Sequence, residues 1–210
     1  MNSEISPKQA RSRATAERLL AAAIRVVDEA GLEGATVPRI AAAAGVAPAS
    51  VYRRYADKDA LLRAAFLHAL QSSNQNNRQM MKKLLLREKL EPTVAQVVRA
   101  LFEQHRRHPL LMRALVRYLD ASADQAFVTE ARRIMAANLS EVAALLMHHQ
   151  DEIKRPNPER ALRFAVLNAA CSVEAHALNA NSMWQSLPDV NDESLARDLT
   201  ASFVAYLRHP

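Results

Sequence analysis

The chain has 210 residues, half of them apolar, with a formal net charge of +6. That is enough for a real core, and it excludes a disordered chain. One cysteine, Cys171, excludes an intrachain disulfide and fits a reducing cytoplasm. The opening MNSEISPKQARSR has no apolar run and reads as no signal peptide, and no stretch nears the ~18 apolar residues of a membrane span. All three glycines lie within the first 45 residues. With much alanine and leucine and little β-branched alternation, the chain reads as all-α. Charge is uneven: residues 1–70 carry net +3, 71–120 net +6 and 121–210 net −3. A basic first half suits an anionic partner.

Residues 1–12 read as a flexible basic arm with Lys8 and Arg11. A first helix follows to Ala30, with Leu20, Ile24 and Val27 on one side, Leu19, Ala23 and Val26 widening the stripe, and Gly31 as its stop. In 36–58, TVPRIAAAAGVAPASVYRRYADK, Thr36 is a helix N-cap and Val37, Ile40 and Ala41 form an apolar side. Gly45 ends that helix in a left-handed conformation. Pro48 opens the next, and Val51 faces inward. Ala47, Ala49, Ser50, Tyr52, Arg53 and Arg54 then point away from the core. Small residues allow close approach to a groove, and arginine forks suit phosphate or guanine edges. This is a helix-turn-helix prepared for the DNA major groove.

The pattern Thr-Val-x-x-Ile-Ala-x-x-Ala-Gly-Val-x-x-x-Ser-Val-Tyr-x-x-Tyr-x-x-Lys-x-x-Leu resembles the N-terminal signature of the TetR family of bacterial transcriptional regulators. Pro38 stands where this family often has a polar or basic residue, and Tyr55 replaces its usual phenylalanine. The candidate DNA contacts are Thr36, Arg39, Ala47, Ser50, Tyr52, Arg53, Arg54, Tyr55 and Lys58, the lysine matching one that grips phosphate in similar proteins. The resemblance implies a helix-turn-helix domain at 1–57 and a helical bundle for ligand binding and dimerisation at 58–210.

Asp57 is read as the N-cap of a fourth helix, with Leu61, Leu62, Ala65, Phe66 and Ala69 on its apolar face. The pattern weakens through QSSNQNNRQ and resumes at Met80, Met81, Leu84 and Leu85, which predicts one long helix or two joined by a loose turn. Pro92 opens a helix to Arg107, Pro109 one through Leu119, and a long one spans 124–152. Asn157 and Pro158 start the eighth helix, which is predicted to reach Met183. That helix has two apolar stripes: Leu162, Val166, Ala169 and Val173 on one side, and Phe164, Leu167, Cys171 and Leu178 nearly opposite. One needs cover from its own core and the other from a second subunit, and spacing does not say which is which. The ninth helix runs from Asp192 to Arg208. The candidate dimer interface is Leu162, Val166, Ala169, Val173, Leu195, Leu199 and Phe203. The candidate effector site is Phe102, His105, Met112, Leu115, Met135, Leu139, Leu167, Cys171 and Glu174. Cys171 itself is expected to be buried, on an apolar stripe without an adjacent base.

Seven histidines raise the question of a metal. Zinc needs converging ligands at recurring spacing, and neither HExxH nor paired cysteines occur, so no metal is expected. No G-x-S-x-G, phosphate loop or dinucleotide fingerprint points to an enzyme or a cofactor. The expected partners are double-stranded operator DNA, a small-molecule effector and a second copy of the chain, without a membrane.

Overall fold

The computed structural model describes residues 7–84, 89–179 and 181–209, with side chains from residue 9 to 73 and from 89 onward in those ranges. Nine α-helices carry the described residues, and none of these residues forms a strand: α1 Pro7–Gly34, α2 Val37–Ala44, α3 Pro48–Tyr52, α4 Lys58–Leu84, α5 Leu90–Arg107, α6 Pro109–Ala121, α7 Gln125–Leu146, α8 Pro158–Leu178 and α9 Asp192–Arg208. Short 3₁₀ turns follow α7 at Met147–Glu152 and α8 at Met183–Ser186. No helix among the described residues is long and apolar enough to cross a membrane. The helices form two compact units. One holds the chain up to Ser72 together with Leu110–Ala131; the other holds Ser73–Pro109 and Arg132–Pro210.

In the first unit, α1 starts at Pro7, so residues 7–12, expected in an arm, are its first turns. The rest of that arm, 1–6, lies outside the described residues, as does the side chain of Lys8. Gly31 breaks α1 at φ 67°, a backbone that only glycine enters at little cost. The core joins Leu19, Ala23, Val26 and Val27 of α1 to Val37, Ile40 and Ala41 of α2 and to Val51 of α3. Leu61, Leu62, Ala65 and Phe66 of α4 and Ala114 and Leu115 of α6 complete it with Phe127, Val128 and Ala131. Asp57 caps α4, with Oδ1 accepting from Ala60 N at 2.6 Å. The helix then runs unbroken to Leu84; the predicted apolar side chains at 80, 81, 84 and 85 lie outside the described residues. Arg117 pairs with Glu33 at 2.8 Å, and the Tyr118 hydroxyl donates to Asp59 O at 3.2 Å, so α6 is fastened to this unit. Burial, with the Asp59 carboxylate nearby, pushes the Tyr118 phenol up to about 12.

The core of the second unit takes Leu90, Val94, Val98 and Phe102 from α5, Ala143 and Leu146 from α7, Leu162, Val166, Ala169 and Val173 from α8, and Leu195, Leu199, Phe203, Val204 and Leu207 from α9. Three boundaries differ from the sequence reading. Helix α5 starts at Leu90, before Pro92, because the Glu152 carboxylate accepts from Leu90 N at 2.7 Å. Helix α7 stops at Leu146, and the next turn tightens around His149, whose Nε2 meets the Thr93 hydroxyl at 3.1 Å. Helix α8 ends at Leu178, a turn before the expected Met183. Asn191 and Ser194 form a reciprocal capping box at the start of α9.

Candidate nucleic-acid interface

The turn between α2 and α3 is built from local chemistry. Thr36 Oγ1 accepts from Arg39 N at 3.4 Å and starts α2. Gly45 ends it at φ 67°, ψ 39°. There Gly45 N donates to Ala42 O and Val46 N to Ala41 O, which satisfies the last carbonyls of α2. Arg25 reaches from α1 to Ala43 O at 2.8 Å, adding a cation at the negative end of the α2 dipole. Helix α3 has only five residues, with Pro48 in its first turn and Val51 fully buried against the core. One residue thus anchors α3 and leaves the rest of it turned outward.

Thr36, Arg39, Ala47, Ala49, Tyr52 and Arg53 are exposed, and Tyr52 keeps 58% of its surface. Ser50 is half-buried, and its Oγ accepts from Arg53 Nη2 at 2.9 Å. Arg54 is half-buried as well: Nη1 lies 3.5 Å from Ser50 O and Nη2 3.3 Å from Ser12 Oγ. Arg39 lies 3.9 Å from the Glu29 carboxylate. Tyr55 turns inward against the first core, and that burial raises its phenol above the usual value. Lys58 Nζ donates to Leu32 O at 3.0 Å, which caps the chain leaving Gly31. Its ammonium has three donors, so two stay available. Thr36, Arg39, Ala47, Tyr52 and Arg53 are thus open to solvent and Ser50 partly so, whereas Arg54, Tyr55 and Lys58 are tied to the scaffold. Sequence reasoning passed over Ser12 and Arg25; nothing local marks side chains whose partners lie 42 and 18 residues away.

The other candidate residues are more scattered. Met112 and Leu115 belong to α6 in the first unit, where Leu115 is buried in the core. Phe102, His105, Met135 and Leu139 belong to the second unit. His105 is buried, its Nδ1 lying 2.7 Å from Leu101 O. On α8, Leu167 and Cys171 are exposed and Glu174 is half-buried. The expected burial of Cys171 is therefore corrected: its stripe is the one that the chain leaves uncovered. Leu162, Val166, Ala169, Val173, Leu195, Leu199 and Phe203, assigned from sequence to a dimer interface, instead fill the core of the second unit. Ala169, Leu199 and Phe203 nonetheless also line a small cleft open beside Phe164. The large apolar side chains left open on α8 are Phe164 and Leu167, 56% and 49% exposed, and Phe164 lines that cleft of about 90 Å³ with Ser202 and Tyr206.

A groove of about 710 Å³ runs along α5 and α9 of the second unit, over Ala95, Phe102, Ala196 and Thr200. Asp192 stands at one end, held by Arg106 and by His176 Nε2 at 2.9 Å. The Arg106 guanidinium, assisted by His176, keeps that carboxyl below its usual range. Among the described residues no three His, Cys, Asp or Glu side chains are grouped as a metal would require.

Comparison with known proteins agrees with this geometry. Residues 19–65 match the family described as bacterial regulatory proteins, tetR family. No curated protein matches the sequence. Among solved structures, a TetR-family transcriptional regulator from Mesorhizobium loti is similar at TM-score 0.70 and 19% identity, covering 94% of this chain and 96% of its own. The transcriptional regulator FadR from Bacillus subtilis, in complex with stearoyl-CoA, is similar at TM-score 0.61 and 17% identity, covering 90% and 98%. A transcriptional regulator from Rhodococcus sp. Rha1 is similar at 0.61 and 21%, covering 91% and 95%.

Proposed function

From a TetR-family helix-turn-helix domain carried on an all-α fold shared with transcriptional regulators of that family, we propose a ligand-responsive homodimeric repressor. It binds a palindromic operator and is released by a small molecule. Residues 1–57 serve as the DNA-binding domain and 58–210 as the ligand-binding and dimerisation domain, working in the cytoplasm without catalytic activity. The observation that carries the reading is α3: one buried side chain, Val51, beneath an open surface of Ala47, Ala49, Tyr52 and Arg53. A hairpin that served only the core would have no use for that surface.

Two copies of α3 must reach successive major grooves, about 34–36 Å apart. The pairing face proposed is the open stripe of α8, Phe164, Leu167 and Cys171, with Ser202 and Tyr206 of α9 beside it. The effector binds within 58–210, where the α5–α9 groove has the size of a small-molecule site and Phe102 lies in its floor. It acts only by favouring the conformation that binds DNA poorly; moving that balance from 1:99 to 99:1 takes about 5.5 kcal/mol of differential affinity.

The test is selection of duplexes from a random pool by the pure protein, followed by gel-shift titration of the selected fragment. A palindromic consensus bound by two chains is expected. An unchanged pool, or binding indifferent to sequence, would overturn the reading. Stearoyl-CoA, present in the FadR structure, is the first compound to titrate for release.

A further inference from the structure

Helix α1 extends past the core it helps to build. Ser12, Leu19 and Val26 recur every seven residues and share one side of the helix. Leu19 and Val26 are buried, whereas Gln9 to Ala14 are all exposed. The first turns therefore overhang the core, and their inner side carries Ser12. What Ser12 meets there is the end of the recognition segment, with its Oγ 3.3 Å from Arg54 Nη2. The other terminal nitrogen of Arg54 lies 3.5 Å from Ser50 O, in the last turn of α3. One guanidinium thus joins the last turn of α3 to a residue of α1 that lies 42 positions before Arg54 in the chain.

Both contacts are long, and they leave part of the fork open. A guanidinium has five N–H groups in one plane, of which these contacts use two. The remaining N–H groups keep a fixed direction only while the plane is held. A bidentate grip on phosphate or a base edge depends on that direction. Without Ser12, Arg54 would keep one contact at the limit of hydrogen bonding, and its plane could rotate. Arg11 and Arg13 flank Ser12, are exposed, and make no ion pair among the described residues. The overhang therefore carries two further cations on the same turn as Ser12.

We infer that Ser12 is a positioning residue for DNA recognition: from α1 it fixes the plane of the Arg54 guanidinium at the end of α3. This rests on the DNA-binding reading above. The overhang turns the angle between α1 and α3 into a determinant of affinity, although Ser12 itself need touch no nucleotide.

The experiment uses the full chain and the selected duplex, comparing Ser12→Ala, Ser12→Thr, Arg54→Ala, the Ser12→Ala/Arg54→Ala pair and, as a control, Tyr52→Ala. Ser12→Ala is expected to weaken binding about fivefold, the scale of one hydrogen bond. Threonine, which keeps the hydroxyl, restores most of it. In the Arg54→Ala background, Ser12→Ala has no further effect, because the side chain it positions is gone. Independent losses that simply add, or Ser12→Ala binding like the parent while Tyr52→Ala weakens binding, overturn the inference and leave the DNA reading standing. If Tyr52→Ala and Arg54→Ala both bind like the parent, the docking of α3 fails and this inference falls with it.

Discussion

Tyr52 and Arg53 show what exposure means at the residue scale. Tyr52 is an aromatic group more than half open to water, one position past the fully buried Val51. Replacing it with alanine removes no core contact. Operator affinity should fall about tenfold, the scale of one good contact, while the helical circular dichroism spectrum and melting temperature stay unchanged. Gel-shift and thermal melts made side by side check both halves. Lys58 behaves differently, since its ammonium already holds Leu32 O. Lys58→Met should flatten the salt dependence of DNA binding by about one unit of slope and also lower the melting temperature; an unchanged slope would leave Lys58 with a structural role alone. The outward set at Ala47, Ala49, Tyr52 and Arg53 was legible in the sequence because a buried Val51 on so short a helix leaves little choice of face. The inward turn of Tyr55 and the tethering of Arg54 were not. Long side chains settle on partners that tertiary structure supplies, and Ser12 and Leu32 lie far back along the chain.

Caps decide the elements, and they were legible only when local. Thr36, Asp57 and Asn157 each accept from an N–H three residues on, and their helices begin where the sequence predicts. Gly45 ends α2 as expected, with open space where a Cβ would go, so Gly45→Ala meets no clash. Its cost is the left-handed backbone alone, about 1–2 kcal/mol, measurable by urea denaturation. Helix α5, in contrast, is capped from 62 residues away by Glu152, and no window of sequence reveals that. The same carboxylate receives Arg208 at 2.7 Å. The Leu90 N–H first, and Arg208 next, hold Glu152 below the usual carboxylate range. A carboxyl lowered in the folded state stabilises it most when ionised in both states, so its contribution is complete above an ordinary value of about 4.3. It is lost as pH falls through the lowered value. Glu152→Gln should therefore destabilise the chain at neutral pH by on the order of 1–2 kcal/mol. The difference from the parent should shrink in denaturation curves taken at successively lower pH; a constant difference would remove ionisation from the explanation.

Across the whole molecule the decisive ambiguity is α8, whose two apolar stripes were plain from periodicity alone. Periodicity counts faces but does not assign them, because the partner of each face is chosen by the packing of α5 and α9. In the folded chain Leu162, Val166, Ala169 and Val173 are covered, and Phe164, Leu167 and Cys171 are open. The two stripes should then fail in different ways. Leu162→Ala removes a fully buried side chain and leaves a cavity, costing about 2–5 kcal/mol of stability whatever the oligomeric state. Leu167→Glu places a charge on a half-exposed position. It should leave the folding of a single chain nearly untouched, yet it should split a dimer, since a buried unpaired carboxylate at a subunit face is strongly unfavourable. Sedimentation equilibrium of the parent should give twice the chain mass, and Leu167→Glu the mass of one chain with an unaltered helical spectrum. Operator affinity should fall together with the dimer, because one recognition helix grips only one half-site. A variant that stays dimeric would move the pairing face off α8, and a monomeric parent on DNA would remove the two-fold reading altogether.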